Sequence, residues 1–502
     1  MTKILELING IVWGVPALCL ILGVGIYLSL RTGCAQLRLF PRAFSSFFAK
    51  LFHKDKGSGG VTPFQALCTA LAATVGTGNL AGVAGAVAIG GPGTIFWMWV
   101  SAVLGMVTKY AEATLAVRYA VPDGKGGTIG GPMYMISQGL GTRWKAMSFC
   151  YCFFGVVAAF GVGNCTQINA VVSGIGSVIS AFSIDPIPGW QWFLGVALAA
   201  LVVAMLLGGA RRIGRLAEML VPFAAAAYIL LSLGVLLLRW ENLPNAFWQI
   251  FQGAFSPRGV TGGVVGSLFL TLRVGVSRGV FTNEAGMGTA AMAHGSARVD
   301  HPAEQGMMGI MEVFLDTVVI CTMTALVILV SGTEIPYGMD PGLSLTSRAF
   351  CVVYGEWAAI PIALEVCCFA FATVLGWGLY GARCAQYLFG QDSWRTFAWL
   401  QGITVILGAI LNTGTVWLIS ETVNGLMAIP NLIALAMLSP ELFRLTKEYT
   451  KEPGGRTAKG GTYEYFHQRQ PLRTLSHEKV PSLRRKGQGS GQDYLPPEHR
   501  PA

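Results

Sequence analysis

Two stretches of the chain set glycines, hydroxyls, amides and a carboxylate in the middle of runs that are otherwise apolar. The first is Ala72-Ala73-Thr74-Val75-Gly76-Thr77-Gly78-Asn79-Leu80-Ala81-Gly82, and the second is Arg278-Gly279-Val280-Phe281-Thr282-Asn283-Glu284-Ala285-Gly286-Met287-Gly288. In hydrocarbon each unpaired N–H or C=O costs several kcal/mol, so unwound backbone persists only where protein or a bound solute satisfies it. Amides freed at a helix break hold a carboxylate, helped by the positive end of the half-helix that follows. Freed carbonyls hold a cation, so a pair of breaks fits a zwitterionic solute and a companion ion. Close helix packing alone would explain the glycines, but not Thr77, Asn79, Asn283 and Glu284 beside them.

Charged side chains inside apolar runs also demand explanation, and Lys109, Glu112, Arg273, Glu284, Glu312, Asp316 and Glu365 lie in such runs. Lys109 with Glu112, and Glu312 with Asp316, are spaced to share one helix face. Such groups either couple or gate an ion, or form buried pairs that fix packing. For Lys109 with Glu112 the packing pair is the expectation, and for Glu284 both readings stand. Arg273 and Arg278 are candidate partners for these carboxylates, which would make part of the network a gate.

The elements that position these residues are membrane helices. Of 502 residues 53% are hydrophobic and 12% charged, and mean hydropathy is +0.56. Runs of about 20 apolar residues, enough to cross a bilayer core, recur up to residue 440. Eleven spans are expected, at 7–30, 64–89, 94–118, 147–173, 191–208, 216–238, 264–293, 306–330, 361–382, 396–411 and 415–438. The first lacks a basic leader and a cleavage signal, so it should remain as a helix. The net charge of +10 reflects Lys and Arg between the runs, not a nucleic-acid surface.

Basic residues cluster in alternate connections: Arg31, Arg38, Arg42, Lys50, Lys54 and Lys56, then Lys125 and Arg143, then Arg211, Arg212 and Arg215. With a basic tail, this predicts an outside N-terminus and a cytoplasmic C-terminus. Residues 441–502 read as a disordered cytoplasmic tail. No cysteine has zinc-site spacing with a histidine, and no cofactor is called for beyond a coupling ion.

The two polar stretches fall in spans two and seven, the offset expected if spans two to six and seven to eleven are inverted repeats. At these residues the chain strongly resembles the alanine or glycine:cation symporter family, also called the sodium:alanine symporters. The matching blocks are GTGNLAGVAGA, GGPGTIFWMW, GGPMYMI, RGVFTNEAGMGTAAMAH, DHPAEQG, EVFLDT and ETVNGLMAIPNLIAL, spread over residues 5–440.

The resemblance implies an all-α, leucine-transporter-like fold of the amino-acid–polyamine–organocation type. An extra N-terminal helix and loop (1–60) would precede two inverted repeats (61–262 and 263–440). It implies symport of alanine or glycine with Na+ or H+ across a bacterial or archaeal inner membrane. The Gly76-Thr77-Gly78-Asn79 run also looks like the Gly-x-Gly-Asn turn of neurotransmitter:sodium symporters. By that match, amides around Thr77 and Gly78 bind the substrate carboxylate, and the carbonyls of Ala72 and Val75 face a cation. Thr373 and Trp377 share a helix face; Thr373 would offer a hydroxyl to sodium or substrate, and Trp377 with Phe281 would wall the side-chain pocket. Packing explains Trp377 and Thr373 as an alternative, and a helix–helix hydrogen bond explains Gln167 equally well. The substrate set is then Thr74, Gly76, Thr77, Gly78, Asn79, Gln167, Phe281, Asn283, Gly286, Thr373 and Trp377. Ala72, Val75 and Thr373 form the cation set.

The rival classes are weaker. The six histidines form no metal or nucleophile constellation of a membrane enzyme, and an ion channel would build its pore from fewer spans per subunit. The expected partners are a small amino acid, the coupling ion and lipid, without an obligatory protein partner.

Overall fold

The computed structural model describes residues 8–52, 60–124, 126–265, 267–411 and 414–451. Lys54, Lys56, Lys125 and the tail beyond Lys451 lie outside the described residues.

The first span, Ile8–Thr32, has a short helical stretch at 8–12 followed by α1 (Val15–Thr32), which stops where Gly33 turns left-handed at φ 63°. Helix α2 (Phe40–Phe52) was not foreseen; it is amphipathic, with Phe44, Phe48 and Phe52 exposed. Its Phe40 ring packs 4.9 Å from Phe314, and Phe47 sits 6.1 Å from Phe64. Helix α3 (Pro63–Thr74) starts on a capping box in which Thr62 and Gln65 satisfy each other's backbone N–H, with proline in the first turn. It continues through a wide π-type turn at Gly78–Gly82 into α4 (Val83–Gly90).

Then come α5 (Thr94–Arg118), α6 (Lys145–Phe160), α7 (Thr166–Ala181), α8 (Trp190–Leu207), α9 (Gly209–Leu238) and α10 (Leu243–Phe255). The second half contains α11 (Leu268–Asn283), α12 (Pro302–Val313), α13 (Thr322–Ser331), α14 (Leu343–Tyr354), α15 (Ala359–Phe389), α16 (Ser393–Ile410) and α17 (Gly414–Lys451). Among the described residues a short hairpin, Val121–Pro122 with Thr128–Ile129, interrupts the helical pattern.

Eight helices among the described residues are long and apolar enough to cross a membrane, and α3 with α4 adds a ninth as a bent pair. The other two expected spans are helical but do not meet that test. Span 264–293 is a 16-residue helix followed by a non-helical turn, because the polar stretch at 283–288 stops it. The tenth, 396–411, overlaps the 18-residue α16, which stops at Ile410 before an extended Leu411. The boundary at residue 440 is also corrected, since α17 runs through Pro440 to Lys451.

Burial separates centre from rim. In the apolar window of α5, 78% is buried, whereas in α8 it is 28%, so α5 is a core helix and α8 faces lipid. The core helices α5, α11 and α12 pack together and bring the two polar stretches side by side. Some buried hydroxyls bond their own preceding turn, as Thr108 on α5 does to Leu104 and Thr324 on α13 does to Ile320.

Candidate functional site

Helix α3 ends at Val75, whose backbone is extended, and the following half-helix departs at 52°. In a continuous helix the Gly76 N–H would close on the carbonyl of Ala72. Here it donates to Asn79 Oδ1 at 2.9 Å, so the ladder is broken at that carbonyl. Thr77 donates to Gln167 Oε1 from its hydroxyl at 3.0 Å and from its amide at 3.4 Å. Gln167 in turn donates to the Val162 carbonyl, inside the π-type turn Gly161–Cys165 between α6 and α7. The Thr373 hydroxyl reaches the Val75 carbonyl at 3.5 Å. Gly76 is required by contact: an added Cβ would lie 2.6 Å from Thr373 Oγ1.

Beside this break lies a cavity of about 560 Å³ lined by Thr77, Gly78 and Phe281, and also by Arg278, Asp340 and Glu421. Exposure rises along it, from 2% at Thr77 and 8% at Phe281 to 49% for the Asp340 side chain, so the break is its floor and Asp340 its mouth. Arg278 spans the mouth, 3.6 Å from Asp340 and 4.0 Å from Glu421.

The second break follows α11. Glu284 takes a left-handed conformation, φ 54°, which costs an L-residue about 1 kcal/mol. Its carboxylate fixes the turn by accepting from Thr289 Oγ1 at 2.5 Å and Trp377 Nε1 at 2.8 Å. Gly286 and Gly288 also have positive φ, and both donate their amides to Glu112 Oε1, at 2.9 and 3.0 Å. Asn431 Nδ2 joins the same oxygen at 2.7 Å. Glu112, fully buried on α5, thus fills an amide cradle that an anion would otherwise fit.

A hydrogen-bonded chain joins the two breaks. Asn79 Nδ2 donates to Asp316 Oδ1 at 2.7 Å, and Thr317 Oγ1 donates to Asp316 Oδ2 at 2.8 Å. Asn283 Nδ2 donates to Thr317 Oγ1 at 3.1 Å, and Asn283 Oδ1 accepts the Ala285 amide at 3.0 Å. Asp316 and Thr317 sit in the π-type turn Phe314–Cys321 between α12 and α13, a local widening that aims both side chains at the breaks.

The expectation that Lys109 pairs with Glu112 is corrected. Lys109 Nζ lies 3.2 Å from Glu312 Oε1 on α12, and His294 Nε2 lies 2.8 Å from Glu312 Oε2. The spacing on α5 did put both on one face, but facing helices supply nearer partners for each. Gln305 Nε2 reaches both His294 Nδ1 and the carbonyl of Pro63, tying this network to the start of α3.

Of the other sequence candidates, Thr74 bonds back to Ala70 within its own helix, and Arg273 is half-buried and does not line the cavity. Trp377 does not line it either: its ring packs on the Gly163 turn, leaving Phe281 as the aromatic wall. The sequence offers Asp316 as a coupling or packing charge paired with Glu312 and gives no sign of Asn431; the partners that place them, Asn79 and Glu112, lie more than two hundred positions away, beyond the reach of any spacing rule.

These features define a class: a multi-pass membrane transporter with discontinuous helices meeting at a central cavity. The backbone is similar to a crystal structure of MhsT in complex with L-phenylalanine, with TM-score 0.54 and 13% identity, covering 78% of this chain and 99% of that one. The fold is therefore the leucine-transporter-like inverted-repeat fold. The chain belongs to the sodium:alanine symporter family, which it matches over residues 1–461. It is 41% identical to the sodium/alanine symporter AgcS of Methanococcus maripaludis, over 89% of this chain and 97% of that protein. It is 43% identical to an uncharacterized transporter of Haemophilus influenzae, over 89% and 96%. Members of this family move solutes and are not enzymes.

Proposed function

We propose that the chain imports a small neutral amino acid, alanine or glycine, by symport with sodium across a bacterial or archaeal inner membrane. The observation that carries this reading is the cavity ending on Thr77, Gly78 and Phe281 at the first break. The substrate carboxylate takes the amide end of that break, its side chain meets Phe281, and the close approach of Phe281 to Gly78 favours a methyl group or hydrogen. Sodium sits between the carbonyls of Ala72 and Val75 and the hydroxyl of Thr373. Sodium is preferred over a proton carried by Glu284, because both oxygens of that carboxylate hold the second turn in place.

In this reading residues 61–262 and the segment from 263 to the end of α17 are the repeats that rock, the N-terminus is outside, and the cavity mouth at Asp340 opens outward. Arg278 is the outer gate. The relative named a sodium/alanine symporter supports the same assignment.

The test is uptake by purified protein in sealed vesicles. Labelled alanine or glycine should accumulate only under an inward sodium gradient, and Thr373→Ala should weaken sodium activation more than expression. Equal uptake with and without any ion gradient rejects symport. Accumulation driven by protons in sodium-free medium moves the coupling role away from the Thr373 site.

A further inference from the structure

A second cavity, of about 660 Å³, lies apart from the transport site, between the α8–α9 corner, the end of α15 and the start of α16. Its walls carry Arg211, Arg383 and Arg395 with Trp394, against the carboxylates of Asp123 and Asp392. Asp123 Oδ1 is committed to the hairpin turn, where it accepts the Gly127 amide at 2.7 Å. Arg383 is 8% exposed, and its Nε finds no hydrogen-bond acceptor among the described residues. One arm of the guanidinium donates to Gln386, and the group lies 5.4 Å from the centre of the Trp394 ring. Burying a guanidinium with an unused donor is costly unless an anion completes it.

Two helix N-termini meet the same cavity. Helix α9, of 30 residues, begins at Gly209, and α16, of 18, begins at Ser393; neither has a side-chain cap. Their positive dipole ends add to the arginines, although the first amide of α16, at Ser393, already donates to the Gly390 carbonyl. A planar donor fork beside uncapped helix ends suits a phosphate group. The surface next to it is lipid-facing: Leu201 and Leu207 on α8, Phe389 on α15, and Trp399 and Ile403 on α16 are exposed. A phosphate held here would sit at the head of acyl chains lying along α8 and α16.

We infer that this cavity is a binding site for the phosphate headgroup of an anionic phospholipid, with Arg383 as its central donor. Basic pockets between membrane helices hold such headgroups, and each arginine near the surface is worth about fivefold in affinity. A soluble phosphate would offer the same oxygens without the acyl chains.

The full chain is placed in nanodiscs of phosphatidylcholine with and without phosphatidylglycerol, and retained lipid is counted by native mass spectrometry after detergent exchange. The wild-type protein should retain phosphatidylglycerol selectively. Arg383→Gln, and separately Arg211→Gln and Arg395→Gln at exposed positions, should each reduce that retention about fivefold and leave phosphatidylcholine unchanged. Inorganic phosphate should not displace the lipid. Equal retention by the wild-type protein and the two exposed variants overturns the site even if Arg383→Gln fails to fold. Displacement of the bound lipid by inorganic phosphate overturns the lipid assignment in favour of a soluble anion.

Discussion

At the first break Asn79 holds the Gly76 amide from within the same turn, and Thr77 and Gly78 line an open cavity. At the second, the Gly286 and Gly288 amides close on Glu112, a carboxylate from another helix. Similar residues are thus satisfied in opposite ways. The amides of the second break are already taken by a side-chain carboxyl group, so only the first is available to a solute, and the second acts as a fixed abutment. Asp316 makes the pair mechanically continuous, because its two oxygens serve one break each.

The largest effect that breaks this contrast should come from Glu112→Ala. It strands the Gly286 and Gly288 amides in the core, each costing about 1–3 kcal/mol, and leaves Asn431 only its bond to the Gly286 carbonyl, so transport should vanish and the unfolding temperature should fall sharply. Glu112→Gln retains an acceptor and should be milder on both measures. If the alanine variant unfolds at the wild-type temperature, the second break does not depend on that carboxylate.

Next is Asp316→Ala, which cuts the chain between the breaks. Uptake should drop about tenfold or more, a coupling loss of roughly 1–2 kcal/mol, with a smaller effect on stability. A variant with normal uptake would mean that the two breaks move independently. Gly76→Ala sharpens the contrast from the other side, since its methyl collides with the Thr373 hydroxyl. Substrate affinity should fall, and adding Thr373→Ala should restore affinity without restoring sodium activation. The corresponding test at Gly78, where the nearest side-chain atom is 3.3 Å away, should be less severe.

The smallest effect belongs to Arg278→Gln at the cavity mouth. Its partners are partly exposed at 3.6 and 4.0 Å, so stability should change by no more than about 1 kcal/mol. Uptake rate should lose part of its salt dependence, and an unchanged salt profile would remove Arg278 from the entry path.

Much of the first break was legible, because glycine beside Thr77 and Asn79 in an apolar run has no packing explanation. The position of the second break was legible for the same reason. What fills it was not, because the occupant Glu112 lies 174 positions from Gly286. Lys109 and Glu112 share a face by periodicity, but periodicity cannot choose between partners on their own helix and on a neighbour. The π-type turns that aim Asp316 and Gln167 add one residue to a helical turn and leave no compositional trace. The amphipathic α2 was hidden by its basic residues, which read as a connection.

That helix carries a mechanical consequence. Its Phe47 ring touches Phe64 at the base of α3, while its Phe44, Phe48 and Phe52 rings face outward. Tilting α3 therefore drags a row of phenyl groups through the acyl chains around it. The work of that displacement falls on the bilayer, so the stiffness of the surrounding lipid enters the rate at which the first half-helix swings.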